Sequence, residues 1–284
     1  MTPIVENIFE HIDRNYYDLT AAERKAADFV MRHQGEVQFL SIAELAEQCG
    51  VAEATITRFS RRLGCKGYSA FKLAVASAVS QREAGERQAL PEYDGLQEAM
   101  RRLLRTDTEA MEKTMELIKP FALDQAVQIL DEAGKVLCMG QGGSMLMASE
   151  AAHLFSTVSG KFFPVSDGHM QIIAAATLSP KDAVLYFSYS GATKDMSETL
   201  QVVRERDAKI ILVTRFPRSP GAALADTVLQ CGSSEGPLET GSVAARLAQL
   251  YLLDVLFNRY CREHPLACDQ TRRRIASALT DKHL

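Results

Sequence analysis

The 284 residues carry a net charge of −4, with 46% hydrophobic and 24% charged side chains. That balance suits a folded chain of about two domains; it excludes a polycation, and no apolar run reaches the roughly 18 residues a bilayer demands. Cys49, Cys65, Cys138, Cys231, Cys261 and Cys268 form no C-x-x-C pair and no metal-ligand spacing, so they are expected as reduced thiols of a cytoplasmic protein without metal or cofactor. The opening stretch, Met1 to Asp13, is acidic and lacks the apolar segment of a secretory signal.

Residues 1–80 read as all-helical. Val5, Ile8, Phe9 and Ile12 have helical spacing, as do Ala26, Phe29 and Val30, and Thr20 with Glu23 three residues later forms a capping box. The run Ile42 to Leu63, IAELAEQCGVAEATITRFSRRL, has the pattern of a helix-turn-helix. Ala46 is small where two helices would cross, and Gly50 suits a left-handed turn between them. Leu45, Val51, Ile56, Phe59 and Leu63 supply the inner face. Glu53, Thr55, Thr57, Arg58, Arg61 and Arg62 are then left to point outward.

Charge supports a double-stranded DNA operator as the partner of that outer face. No Asp or Glu occurs from Ala54 to Gln81, while Arg58, Arg61, Arg62, Lys66 and Lys72 do. The first residues of such a helix usually touch base edges, so Thr55, Thr57 and Arg58 are the candidate readers. Arg61, Arg62 and Lys66 are candidate phosphate contacts, which position rather than specify. The plainer reading is a helical hairpin with a solvated basic face. Tyr68 and Phe71 are expected as core anchors.

Residues 81–95, QREAGERQALPEYDG, read as a linker, and residues 96–133 as two helices broken at Pro120. From Lys135 short apolar runs alternate with helical segments. The strand candidates are Val136–Met139, Phe162–Val165, Ala183–Phe187, Ile210–Val213 and Thr227–Leu229. Such alternation argues for βαβ units around a parallel sheet. A long apolar helix over 242–260 and a basic helical tail from Glu263 follow.

Two loops stand out in this half. Gly140-Gln141-Gly142-Gly143-Ser144 follows the first strand and opens a helix near Met145. Ser188-Tyr189-Ser190-Gly191-Ala192-Thr193 follows the third strand and opens another. Glycines let backbone approach a ligand, and N–H groups at a helix start favour an anion. Hydroxyls add donors, so Gly142, Ser144, Ser188, Ser190, Gly191 and Thr193 form a candidate phosphate cradle. N-capping alone is the simpler role for the three hydroxyls of the second loop. A dinucleotide site lacks its last glycine in G-Q-G-G-S-M, and a P-loop lacks its G-K-[S/T].

The run from Leu40 to Lys72, with T-I-T-R-F-S-R-R-L-G and then G-Y-S-A-F-K, resembles the RpiR family of bacterial transcriptional regulators. That family often has Ser where this chain has Ala52, and an Ala at a helix cap costs about 1 kcal/mol. S-Y-S-G-A-T together with G-Q-G-G-S resembles the SIS, or sugar isomerase, domain. The resemblance implies an all-α helix-turn-helix domain over 1–80 and an α/β SIS region over 96–284. The latter has a flavodoxin-like five-stranded parallel sheet in a core of about 125–262. It also implies a phosphorylated sugar or sugar-acid effector, held by Ser188, Ser190 and Thr193 with Ser144 near the sugar.

Other residues are named through the same likeness. Asp167-Gly168-His169-Met170-Gln171 resembles a recurring segment of the family, and His169 is a candidate for the effector, the dimer partner or merely local backbone. Glu239 falls where SIS isomerases carry an acidic base and regulators often carry Arg; it is a candidate effector contact. Arg246 is a candidate for either ligand or partner chain.

Two function classes compete. One is a regulator of carbohydrate metabolism, a homodimer or tetramer whose effector alters operator binding. The other is a sugar-phosphate isomerase, which needs a base and a ring-opening acid. Glu239 is a candidate base and His153 or His169 a candidate acid, but no catalytic pair emerges. An enzyme also has no use for the Ile42–Leu63 pattern. No catalytic residue is therefore expected.

Overall fold

The computed structural model describes residues 7–88, 95–232 and 242–280, with side chains between 82 and 88 left aside. The chain divides into two compact units, one reaching Arg101 and the other beginning at Arg102.

The first unit is helical. Helix α1 (Ile8–Asn15) buries Ile8, Phe9 and Ile12, and the Asn7 side chain caps it by accepting from the Phe9 N–H at 3.0 Å. Helix α2 (Ala21–Arg32) opens with the expected Thr20–Glu23 capping box. Helix α3 (Ile42–Cys49) opens with a second one, Ser41 with Glu44, and ends at Gly50, whose φ of +62° lets the chain turn within one residue. Helix α4 (Glu53–Arg62) follows, then helix α5 (Tyr68–Gln88). Leu45, Ile56, Phe59 and Phe71 are fully buried in a common core, where the Phe59 and Phe71 rings meet edge to face at 5.5 Å. The Tyr68 hydroxyl donates to the Leu40 carbonyl, tying α5 to the entry of α3. The polar stretch expected as a linker from 81 stays helical as far as Gln88, since Gln, Arg, Glu and Ala sustain a helix once α5 is under way.

Helix α6 (Leu96–Leu117) and helix α7 (Pro120–Glu132) precede the sheet, with Pro120 at the start of α7 as expected. The strands are β1 (Val136–Gly140), β2 (Phe162–Val165), β3 (Ala183–Phe187), β4 (Lys209–Thr214) and β5 (Thr227–Gln230). They pair in parallel in the order β2-β1-β3-β4-β5. Between them run α8 (Gly143–Ser156), α9 (Gly168–Ala176) and α10 (Lys194–Glu205); α11 (Val243–Glu263) and α12 (Pro265–Leu279) follow.

Alternation along the strands sorts the core into two layers. Val136, Cys138, Leu185, Phe187 and Val213 pack with α7, α8 and α11. Leu137, Met139, Val184, Tyr186 and Leu212 pack with α10 and the end of α9. Beyond β5, the Gly232 N–H donates to the buried Thr114 hydroxyl of α6 at 2.9 Å, and that hydroxyl donates on to the Ala110 carbonyl at 2.6 Å. A Cβ at Gly232 would lie 2.8 Å from the backbone of Lys113, so only glycine fits there.

Candidate functional site

The α3–α4 pair has the geometry the sequence demands of a reading head. Ala46 is buried at the crossing, and the Val51 N–H closes the turn onto the Ala46 carbonyl at 2.9 Å. On α4, Glu53, Ala54, Arg58 and Arg61 are exposed, Thr57 is half-buried, and Lys66 is exposed just beyond the helix. Ala52 stands at the N-cap and offers no side-chain acceptor.

One of the expected outer residues is placed differently. Thr55 is buried, not outward: it precedes Ile56 and lies four residues before Phe59, so helical periodicity carries it inward. Its hydroxyl accepts from the Arg58 guanidinium at 3.3 Å, which makes it a support for Arg58 instead of a base reader. Ala54 takes the outward place and was missed. Arg62 is exposed as expected, while its guanidinium donates to the Asp18 carbonyl and lies 3.7 Å from the Glu23 carboxylate. The Thr57 hydroxyl donates to the Glu53 carbonyl at 3.2 Å and remains at the surface.

Glu23 is the charged residue beneath this helix. Burial alone would raise its pKa. Hydrogen bonds from the Thr20 N–H and hydroxyl, with Arg62 and Arg58 nearby, outweigh that and hold its carboxyl below the usual carboxylate range.

In the second unit the two glycine loops stand at the carboxyl ends of β1 and β3, which are hydrogen-bonded neighbours. Strand order reverses between them, and open α/β sheets bind ligands at that switch point. Helix α8 begins at Gly143, slightly earlier than expected, after Gly142 at φ +54°. Ser144 is half-buried in its first turn.

Gln171 holds the first loop. Its side-chain amide, fully buried, donates to the carbonyls of Gly140 and Val165, both at 2.9 Å. Its carbonyl accepts from Gln141 and from the Tyr186 hydroxyl, both at 3.2 Å. Burial pushes the Tyr186 phenol up to about 12, so it serves as a neutral donor.

The second loop turns on Gly191, at φ +59°. A Cβ there would fall 2.1 Å from the Ser219 hydroxyl and 2.9 Å from that of Thr214. The Ser188 hydroxyl is buried and accepts from the Gly191 N–H at 3.2 Å, while that of Ser190 accepts from the Ala192 N–H at 3.3 Å. Thr193 stands at the N-cap of α10, yet its hydroxyl makes no capping bond and is exposed. Simple N-capping therefore describes none of the three. Ser190 and Thr193 are the more open hydroxyls; Ser188 shapes the loop.

His169 is exposed in the first turn of α9, which Asp167 caps by accepting from the Met170 N–H at 2.9 Å. Glu239 lies outside the described residues. Arg246 is half-buried on α11. Arg215 was missed: it follows β4, and its backbone N–H donates to the Tyr189 carbonyl of the second loop at 3.0 Å. An Arg just past an apolar run, one strand from the hydroxyl loop, was the signal for it.

Comparison with known proteins agrees with both halves. Residues 6–82 match the family model for the helix-turn-helix domain of the rpiR family, and residues 129–259 match that for the SIS domain. An uncharacterized HTH-type transcriptional regulator of Caldanaerobacter subterraneus is 30% identical over 238 residues, covering 84% of each chain. The HTH-type transcriptional regulator HexR of Pseudomonas aeruginosa is 29% identical over 255 residues, 89% of this chain and 88% of its own. Among solved structures, the Vibrio vulnificus NanR protein complexed with ManNAc-6P superposes with a TM-score of 0.85 at 25% identity, over 98% of this chain and 99% of that one.

Proposed function

The chain belongs to the rpiR family of helix-turn-helix transcriptional regulators and carries a SIS domain, and we propose that a phosphorylated sugar or sugar acid, bound over β1 and β3, alters its hold on operator DNA. One observation carries the effector half: two glycine-bearing loops, each opening a helix, lie side by side at the switch point of the sheet. Helix N-termini and hydroxyls at that place suit a phosphate. NanR, which is similar over nearly the whole chain, was solved with ManNAc-6P, a ligand of the same chemical class.

The bound phosphate lies against the helix starts at Gly142 and Thr193 with the hydroxyls of Ser190, Thr193 and Ser144, and Arg215 stands one strand away. On DNA, Thr57 and Arg58 face bases while Arg61 and Lys66 meet phosphates. The chain works as a cytoplasmic homodimer or tetramer whose heads read half-sites about 34 Å apart. Exposed Leu146 on α8 and Met170 and Ile173 on α9 support self-association. Six cysteines that form no disulfide among the described residues support the reducing compartment.

We also propose that no isomerisation occurs. His153 lies ten residues beyond the start of α8, about 15 Å along the helix, and pairs there with Glu150. It is out of reach of the loops as a ring-opening acid.

A thermal-shift panel of sugar phosphates and their unphosphorylated parents tests the effector reading. At least one phosphorylated compound raises the melting temperature, and Ser190→Ala abolishes that rise. Stabilisation by the unphosphorylated sugars alone would remove the phosphate cradle, and steady turnover in a coupled isomerase assay would restore the enzyme.

A further inference from the structure

Glu23 carries more charge than its local duty requires. It closes the capping box of α2, where its carboxylate accepts from the Thr20 N–H and hydroxyl, both at 2.9 Å. A glutamine performs that duty equally well. Yet the carboxylate is 95% buried, beneath α4, with the Arg62 guanidinium 3.7 Å away. A buried charge is retained at a cost unless a partner answers it. Here the partner comes from the helix that would read DNA, 39 residues further along the chain.

Arg62 is doubly engaged, with the Glu23 carboxylate and with the Asp18 carbonyl. It is the last residue of α4, where an outward cation would meet the phosphate backbone. Arg61, Arg62 and the following Lys66 are all exposed, Arg62 over 45% of its side chain. Arg62 is thus tethered at the surface of the unit by two acceptors of its own chain.

We propose that Glu23 sets the strength and salt dependence of DNA binding by withholding Arg62 from the DNA backbone, leaving α4 to make its phosphate contacts through Arg61 and Lys66. This rests on the reading of α4 as a DNA-binding helix. Phosphate contacts strengthen binding to every sequence alike, each adding about 0.9 to the slope of log affinity against log salt. A cation committed to internal partners adds nothing to that slope. Withholding such a contact weakens operator and random binding by the same factor, so it sets affinity and salt slope and leaves the ratio of operator to random binding unchanged.

The test is a salt titration of the full chain on a mixed-sequence duplex of roughly 30 base pairs, long enough for half-sites one turn apart, followed by fluorescence anisotropy. Glu23→Gln keeps an acceptor for the Thr20 N–H and removes the charge. The expected result is tighter binding to this random duplex and a slope steeper by about 0.9 for each reading head. Adding Arg62→Gln to that variant returns the slope to the wild-type value. A purely structural role for Glu23 moves both quantities the other way, toward weaker binding and a shallower slope. An unchanged or shallower slope in a Glu23→Gln protein of normal helical circular dichroism overturns the proposal.

Should that variant not fold, the arginines decide. Arg62→Gln flattens the wild-type slope by less than half as much as Arg61→Gln, and equal flattening overturns the proposal. A wild-type chain that binds no duplex DNA at all would instead overturn the reading of α4, and the proposal with it.

Discussion

The reading head and the glycine loops are held in place by different chemistry. Beneath α4 the support is ionic: a buried carboxylate, Glu23, faces Arg62 across two helices. Beneath the loop after β1 the support is neutral: the Gln171 amide satisfies two carbonyls and accepts from two donors without a charge. An ionic prop responds to pH and salt, whereas an amide prop responds to neither over the ordinary range. The helix that faces DNA is thus propped by a contact sensitive to solution conditions, and the loop after β1 by one that is not.

The sharpest way to break the comparison is at Gly191. Gly191→Ala forces a Cβ against two hydroxyls at a positive φ, and it should cost about 3 kcal/mol in chemical denaturation and abolish the effector's thermal shift. Stability within 1 kcal/mol of wild type would mean that the loop adapts and is not a fixed cradle. Gln171→Leu leaves the Gly140 and Val165 carbonyls without donors, and a loss of about 2 kcal/mol is expected. A milder loss, with effector binding intact, would show that other groups hold the loop.

The pH dependence separates the two units. Glu23 is held below its usual range in the folded chain, so its contribution is complete above about pH 4.3, the ordinary value for a glutamate, and is lost as pH falls through the folded value. Amide protection, taken relative to the unfolded chain at each pH, should fall on acidification more in α2 and α4 than in β1 and β3, and Glu23→Gln should remove part of the difference. An equal fall in both units would erase the contrast. The smallest effect is a gain. Ala52→Ser supplies the missing cap of α4 and should raise the stability of the first unit by about 1 kcal/mol.

Much of the fold was legible because its signals are local. The runs Phe162–Val165 and Ala183–Phe187 coincide with β2 and β3, since each is a short apolar run bounded by polar turn residues. The Thr20–Glu23 box and the turn at Gly50 were visible for the same reason, and Ser41 with Glu44 shows the same spacing though it was passed over. Thr55 was misplaced because a threonine looks polar in a sequence, while its position on the helix decides that it is buried. The supports of the sites were not legible at all. Gln171 bonds to residues 31 and 15 positions away, and Ser219 crowds Gly191 from a different loop. Such contacts exist only once the sheet has formed, and no spacing rule in one chain announces them.

The joint between Gly232 and Thr114 has a kinetic consequence. The Gly232 amide proton is satisfied by a side-chain hydroxyl on α6. It can trade for deuterium only when that part of α6 lifts away from the end of β5. A single backbone proton therefore keeps time for the detachment of one helix, and its exchange rate, read with and without a sugar phosphate, would tell how often that helix lets go.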